Sequence, residues 1–321
     1  MKLRLSVIIP GGVRMNQRRK VGIIGIGHVG SHVASALITR GLCEELVLID
    51  KDEALAKGQM IDLSDTAAYR NAACQIYVGD YMDLSDADII VISVGGKLFD
   101  ENRLEELGES KEIIDEIAPK IENSGFHGIV ISVTNPCDLV AYYLSKKISA
   151  TVFGSGTALD SARFRRRIAD KLEVNVNSVQ AWCFGEHGDS QVPIWSQVHV
   201  NGIPLKEYLE LTKSSQDVQK LMRTVTESTV YAGWEIASAK GSTEFGIGMT
   251  VSELVKCIYE DAQMVLPCSV LLQGEYGEKD IYASVLSVIS ANGAKPLGEP
   301  MLSDEELEAF HKSCEIMRGY L

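Results

Sequence analysis

Two short segments carry the side chains whose types and spacing suit chemistry. Gly185-Glu186-His187-Gly188-Asp189 places an imidazole in a glycine-rich turn. Upstream, Asp160-Ser161-Ala162-Arg163 offers a carboxylate and a guanidinium. An imidazole exchanges protons near neutral pH, and a carboxylate on its other nitrogen fixes the tautomer and favours the charged form. Asp160 is the candidate for that role beside His187. Arg163 follows Asp160 by one helical turn, so both project from one face if 158–167 is helical. A planar guanidinium grips a carboxylate through two parallel hydrogen bonds, which a lysine cannot do, and Arg163 is the candidate anchor for an acidic substrate. Taken singly, His187 reads as a surface histidine, and the Asp160/Arg163 pair as a surface ion pair worth roughly a few tenths of a kcal/mol. Their joint occurrence downstream of a nucleotide-binding turn gives them a catalytic reading.

That turn is Gly25-Ile26-Gly27-His28-Val29-Gly30. It follows an apolar run, opens an amphipathic stretch, and is followed 20 residues beyond Gly30 by Asp50, the context that makes a glycine pattern informative. Gly25 permits the tight turn, Gly27 lets the backbone reach a pyrophosphate, and Gly30 allows close packing of helix on strand. Asp50 accepts hydrogen bonds from the ribose hydroxyls of NAD and repels a 2′-phosphate, so NAD is expected over NADP. His28 is expected to point outward, with no chemistry assigned. Hydride transfer to a carbonyl carbon leaves an alkoxide that needs a proton, which the cofactor cannot supply; His187 can. Asn135-Pro136 closes an apolar run at 129–133, at the sheet edge where ligands bind in such folds, so Asn135 is a candidate contact for both cofactor and reacting oxygen.

The elements that must position these groups alternate along the first half. Short β-branched runs at 21–26, 46–49, 76–78, 89–94 and 129–133 suit strands buried on both faces. Helical stretches at 29–39, 53–69, 104–123 and 139–147 lie between them. This alternation predicts a Rossmann-type, doubly wound parallel α/β sheet over 20–152. A mixed α+β substrate domain is expected over 153–321, with a long helix at 215–239 and strands at 265–272 and 281–289, after an N-terminal extension at 1–19. Ser303 and Glu306 form a capping box for the last helix.

A chain of 321 residues, 45% hydrophobic and 23% charged, is long enough for two domains with their own cores. The net charge of −13 opposes nucleic acid and anionic lipid as partners. No apolar run reaches a membrane span of about 18 residues. Seven cysteines without metal-site spacing read as reduced thiols of a cytoplasmic protein, and no metal is expected.

These motifs together resemble the L-lactate/L-malate dehydrogenase family, on its lactate and L-2-hydroxyacid side, over about 20–321. The likeness runs through Val21–Gly30, Thr134-Asn135-Pro136, Gly154-Ser155-Gly156-Thr157 with 159–165, Gly185–Ser190, Lys240-Gly241-Ser242-Thr243 and Gly274-Glu275-Tyr276-Gly277. The resemblance implies His187 as proton donor and acceptor, Asp160 as its partner, Arg163 as carboxylate anchor, Asn135 and Thr243 in the pocket, and Asp50 on the adenosine ribose. It also implies a mobile loop whose arginine, matched by Arg103, polarises the substrate carbonyl. Here the chain departs from the family: Gly95-Gly96-Lys97-Leu98-Phe99-Asp100-Glu101-Asn102-Arg103 is one residue short of the usual loop and lacks its glutamine and Pro-Gly. Counting back from Arg103 puts Lys97 at the discriminating position, which suits a dicarboxylate. Counting forward from Gly95 puts Leu98 there, which suits larger 2-oxo acids and is favoured, since a lysine is easily turned to solvent. The expected activity is NAD-dependent L-lactate or L-2-hydroxyacid dehydrogenation, with malate dehydrogenase or a non-catalytic NAD-binding member as alternatives. The family's usual assembly implies a homotetramer, or a dimer.

Overall fold

A computed structural model describes residues 18–69, 74–95, 106–212 and 217–321. The first half alternates β1 (Lys20–Ile24), α1 (His28–Arg40), β2 (Glu45–Ile49), α2 (Glu53–Ala67), β3 (Gln75–Val78), β4 (Ile89–Ile92), α3 (Leu107–Asn123), β5 (Ile129–Ser132), α4 (Cys137–Ser145) and β6 (Thr151–Gly154). Every residue of β1, β4 and β5 is buried, as expected of strands covered by helices on both faces. These six strands pair in parallel in the order β6-β5-β4-β1-β2-β3. The order reverses between β1 and β4, which opens a crevice at the carboxyl ends of those strands. Gly41 ends α1 in the left-handed region (φ 71°), where its amide and that of Leu42 return to the carbonyls of Ile38 and Leu37.

The second half supplies α5 (Ala158–Leu172), β7 (Val179–Gln180), β8 (Cys183–Phe184), β9 (Val192–Pro193), β10 (His199–Val200), β11 (Ile203–Pro204), α6 (Leu205–Leu211), α7 (Val218–Val230), α8 (Ala232–Lys240), α9 (Phe245–Tyr259), β12 (Met264–Gln273), β13 (Lys279–Ser290), β14 (Gly293–Pro296) and α10 (Asp304–Arg318). Strands β12 to β14 do not form a sheet of their own. They extend the parallel sheet as an antiparallel edge, giving one nine-stranded sheet joined where Ser269 pairs with Gly154. The helix expected over 215–239 is two helices that break at Tyr231. The capping box at Ser303 is present: its hydroxyl accepts from the Glu306 amide at 3.2 Å, and Glu306 accepts from the Ser303 amide at 2.9 Å. No helix among the described residues is long and apolar enough to cross a membrane, and none of their His, Cys, Asp and Glu residues group as metal ligands.

Candidate active site

The turn between β1 and α1 is built as its glycines require. Gly25 has φ 88°, a backbone conformation that side-chain-bearing residues rarely adopt. A Cβ on Gly30 would lie 2.0 Å from the carbonyl oxygen of Gly25, whereas one on Gly27 would meet no atom within 4 Å. Gly27 therefore presents open backbone, and no side chain caps the N-terminus of α1 behind it. The free amides and positive dipole end of that helix face a cleft of about 470 Å³, lined by Gly27, His28, Ser93, Thr134, Asn135 and Thr243 among others. Asp50, at the end of β2, accepts from the amides of Ile26 at 2.7 Å and Asp52 at 3.0 Å, which ties the turn to the next strand.

A smaller pocket of about 70 Å³ shares Val29, Val133, Asn135 and Thr243 with the cleft and adds Arg163 and His187. The chain thus gathers Asn135, Arg163, His187 and Thr243, residues widely separated in sequence, around one space. Asn135 reaches it from the end of β5 through a cis bond to Pro136, and its carbonyl accepts from Ser110 at 2.7 Å. Asp160 and Arg163 both lie on α5, as expected of their spacing.

Nδ1 of His187 lies 2.6 Å from Oδ2 of Asp160, and Arg163 donates to Oδ1 of the same carboxylate at 2.9 Å. A carboxylate accepts, so Nδ1 carries the hydrogen and Nε2 is left to take or give a proton. Asp160 is only 1% exposed, so both contacts form away from bulk water, where they are strengthened. Two further acids, not singled out from the sequence, brace the histidine loop. Asp138, in the first turn of α4, accepts from the backbone amide of His187 at 2.7 Å. Burial pushes its carboxyl up to about 6, against the pull of Ser269 and of the His187 amide and ring. Glu186, also buried, accepts from the amide of Ser190 at 3.2 Å and from its hydroxyl, while its own amide donates to Ser313 at 2.9 Å. The signal for Asp138 was present as an acid two residues beyond Asn135-Pro136, but its partner is 49 positions away. Arg103, Lys97 and Leu98 lie outside the described residues.

Known proteins match the chain along most of its length. Residues 19–153 match the lactate/malate dehydrogenase NAD-binding domain, and 157–319 the lactate/malate dehydrogenase alpha/beta C-terminal domain. The chain is 40% identical to the L-lactate dehydrogenase of Fusobacterium nucleatum over 310 residues, 96% of this chain and 97% of that protein. It is likewise 40% identical to L-lactate dehydrogenase 1 of Bifidobacterium longum over 314 residues, 96% and 98% of the two chains. Among solved structures, the minor L-lactate dehydrogenase of Enterococcus mundtii in its ligands-bound form superposes with a TM-score of 0.90 at 34% identity, covering 95% of this chain and 98% of that one.

Proposed function

The chain belongs to the lactate/malate dehydrogenase family, and from that premise we propose that it is an NAD-dependent L-2-hydroxyacid oxidoreductase of the L-lactate dehydrogenase type. It interconverts a small 2-oxo acid, pyruvate or a bulkier homologue, with the L-2-hydroxy acid. The observation that carries this reading is the His187–Asp160 pair at 2.6 Å beside Arg163, in a pocket continuous with the cleft over the glycine turn.

The open backbone at Gly27 and the uncapped α1 terminus fit a dinucleotide pyrophosphate. When bound, NADH supplies the hydride and NAD accepts it. The residues of the chain do the rest. Arg163 anchors the substrate carboxylate, aided by its own fixed position on Asp160. His187 donates a proton from Nε2 to the substrate oxygen during reduction and withdraws it during oxidation. Asp160 keeps the ring oriented and stabilises its charged form, while Asp138 and Glu186 hold the loop that carries it. Asn135 and Thr243 complete the wall between cleft and pocket. Arg103 is assigned the carbonyl-polarising role and Leu98 the choice of substrate side chain, both from the resemblance. Residues 20–152 are assigned to cofactor binding and 153–321 to substrate binding and catalysis, in a cytoplasmic homotetramer or dimer.

A panel of pyruvate, 2-oxobutyrate, 2-oxoisocaproate, phenylpyruvate and oxaloacetate, followed by NADH absorbance, tests the reading. Turnover of the monocarboxylates above oxaloacetate is expected. Faster turnover of oxaloacetate than of the other four makes the chain a malate dehydrogenase, and no oxidation of NADH with any of them removes the catalytic reading.

A further inference from the structure

His28 occupies the first helical position of α1, inside the glycine turn, with its side chain 79% exposed on the rim of the cleft. The ring is nonetheless placed: its Nδ1 lies 3.4 Å from Oε1 of Glu244, a carboxylate only 8% exposed. Glu244 follows Thr243 directly and is itself bonded by Lys240 and by the hydroxyl of Ser242, contacts that hold its carboxyl below the usual range. A buried anion thus lies within ion-pair reach of the ring, beside the helix terminus that a pyrophosphate would occupy. Among the described residues lining the cleft, His28 is also the one able to carry positive charge, whereas Glu106 and Glu109 contribute two acids. The whole chain carries −13, so a dianionic ligand enters against the field of the protein.

We propose that His28 is a cofactor-binding residue: its imidazolium, oriented by Glu244, faces the pyrophosphate of the bound dinucleotide, and NADH binding weakens as the imidazole loses its proton. This rests on the cleft being the dinucleotide site. The other charged and titratable groups around this part of the cleft are Glu244 and the Lys240 bonded to it at the α8–α9 junction, Glu106 just before α3 and Glu109 within it, and His32 one turn along α1. His32 bonds the carbonyl of His28 at 2.8 Å and packs edge-on against Phe245, with ring centroids 4.8 Å apart. Imidazole is the ordinary side chain whose charge changes between pH 5 and 8.

The test is equilibrium binding of NADH, read by its fluorescence at constant ionic strength between pH 6 and 8. The Kd of the unaltered protein rises about three- to fivefold over this range, the scale of one solvent-exposed charge pair. His28→Gln binds at pH 6 as weakly as the unaltered protein does at pH 8 and shows no rise, and His28→Lys binds tightly at both. His32→Gln keeps the rise. ADP-ribose, which retains the pyrophosphate and lacks the nicotinamide, repeats it and so separates His28 from His187. A rise that persists in His28→Gln, or a flat profile in the unaltered protein, overturns the proposal while leaving the cofactor site intact. Failure to bind NADH at any pH removes the site itself.

Discussion

Asp138→Asn separates what the buried acid under the histidine loop costs the fold from what it does for the reaction. In the folded chain burial raises the Asp138 carboxyl from its ordinary 3.8 to about 6. A group whose proton is held more tightly in the folded state stabilises the fold fully below its unfolded value, and loses that contribution as pH rises through the folded one. At 1.36 kcal/mol for each tenfold change in proton affinity, the ionised Asp138 costs about 3 kcal/mol at pH 7 and above, and roughly half of that at pH 5. Asparagine has nearly the same shape, never ionises, and offers an amide oxygen to the His187 amide that Asp138 now serves at 2.7 Å. Exchanging the protonated carboxyl for an amide adds an offset that does not vary with pH, because the bond to the ionised form is already part of the raised proton affinity. Relative to the unaltered protein, Asp138→Asn should therefore gain stability between pH 4 and 7 by about 2 kcal/mol and hold that gain beyond. For a chain of 321 residues this corresponds to about 3 °C in Tm. Urea unfolding of both proteins at pH 4.5, 5.5, 7 and 8 measures the difference. A difference that stays constant across the series, or falls as pH rises, refutes the claim that burial holds the proton on Asp138.

Three other substitutions probe the site. His187→Ala should lower turnover by about 10²- to 10⁴-fold, the usual contribution of a positioned general acid, while NADH titration by fluorescence shows little change in affinity. Arg163→Lys should raise KM for the 2-oxo acid by about 10- to 100-fold, since one point charge replaces a fork of donors; steady-state kinetics at saturating NADH reads this out. Gly30→Ala forces a methyl group to within 2.0 Å of the Gly25 carbonyl. Because the obstacle is backbone, the turn must shift, with a loss of about 1–3 kcal/mol in stability by thermal unfolding and a weaker NADH Kd.

The parts of this structure that were legible in the sequence are those whose cause is local. Gly25, Gly27 and Gly30 announce the cofactor turn because each answers a backbone requirement within six residues. Asp160 and Arg163 share a face because they share a helix, and the buried strands β4 and β5 show as short runs dominated by isoleucine and valine. The rest depends on contacts that periodicity cannot encode. Asp138 looks like an acid complementing the dipole at the start of α4, and only the fold brings it to the amide of residue 187. His28 does face outward, 79% exposed, yet its Nδ1 also comes within 3.4 Å of Glu244, 216 positions away. The merging of β12–β14 with the parallel sheet rests on the pairing of Ser269 with Gly154, and the break at Tyr231 falls in a stretch with no proline to announce it.

Charge balance around His187 links the cost of this site to its chemistry. Asp160 and Asp138 set two acids against one imidazole, and Arg163, bonded to Asp160 at 2.9 Å, offsets one of them. Asp138 touches the backbone of residue 187, and the charge of the ring also draws its carboxyl toward the ionised form. Coupling of this kind is reciprocal, so a negative charge at Asp138 favours the protonated ring that must deliver a proton during reduction and that forms during oxidation. Asp138→Asn removes that charge without changing the ring's contact with Asp160. The midpoint of the alkaline fall in kcat/KM for 2-oxo acid reduction should consequently move to lower pH, even though the variant is the more stable protein. A purely structural Asp138 would change the stability curve and leave that midpoint in place, so stability and rate profiles measured on the same variant distinguish the two roles.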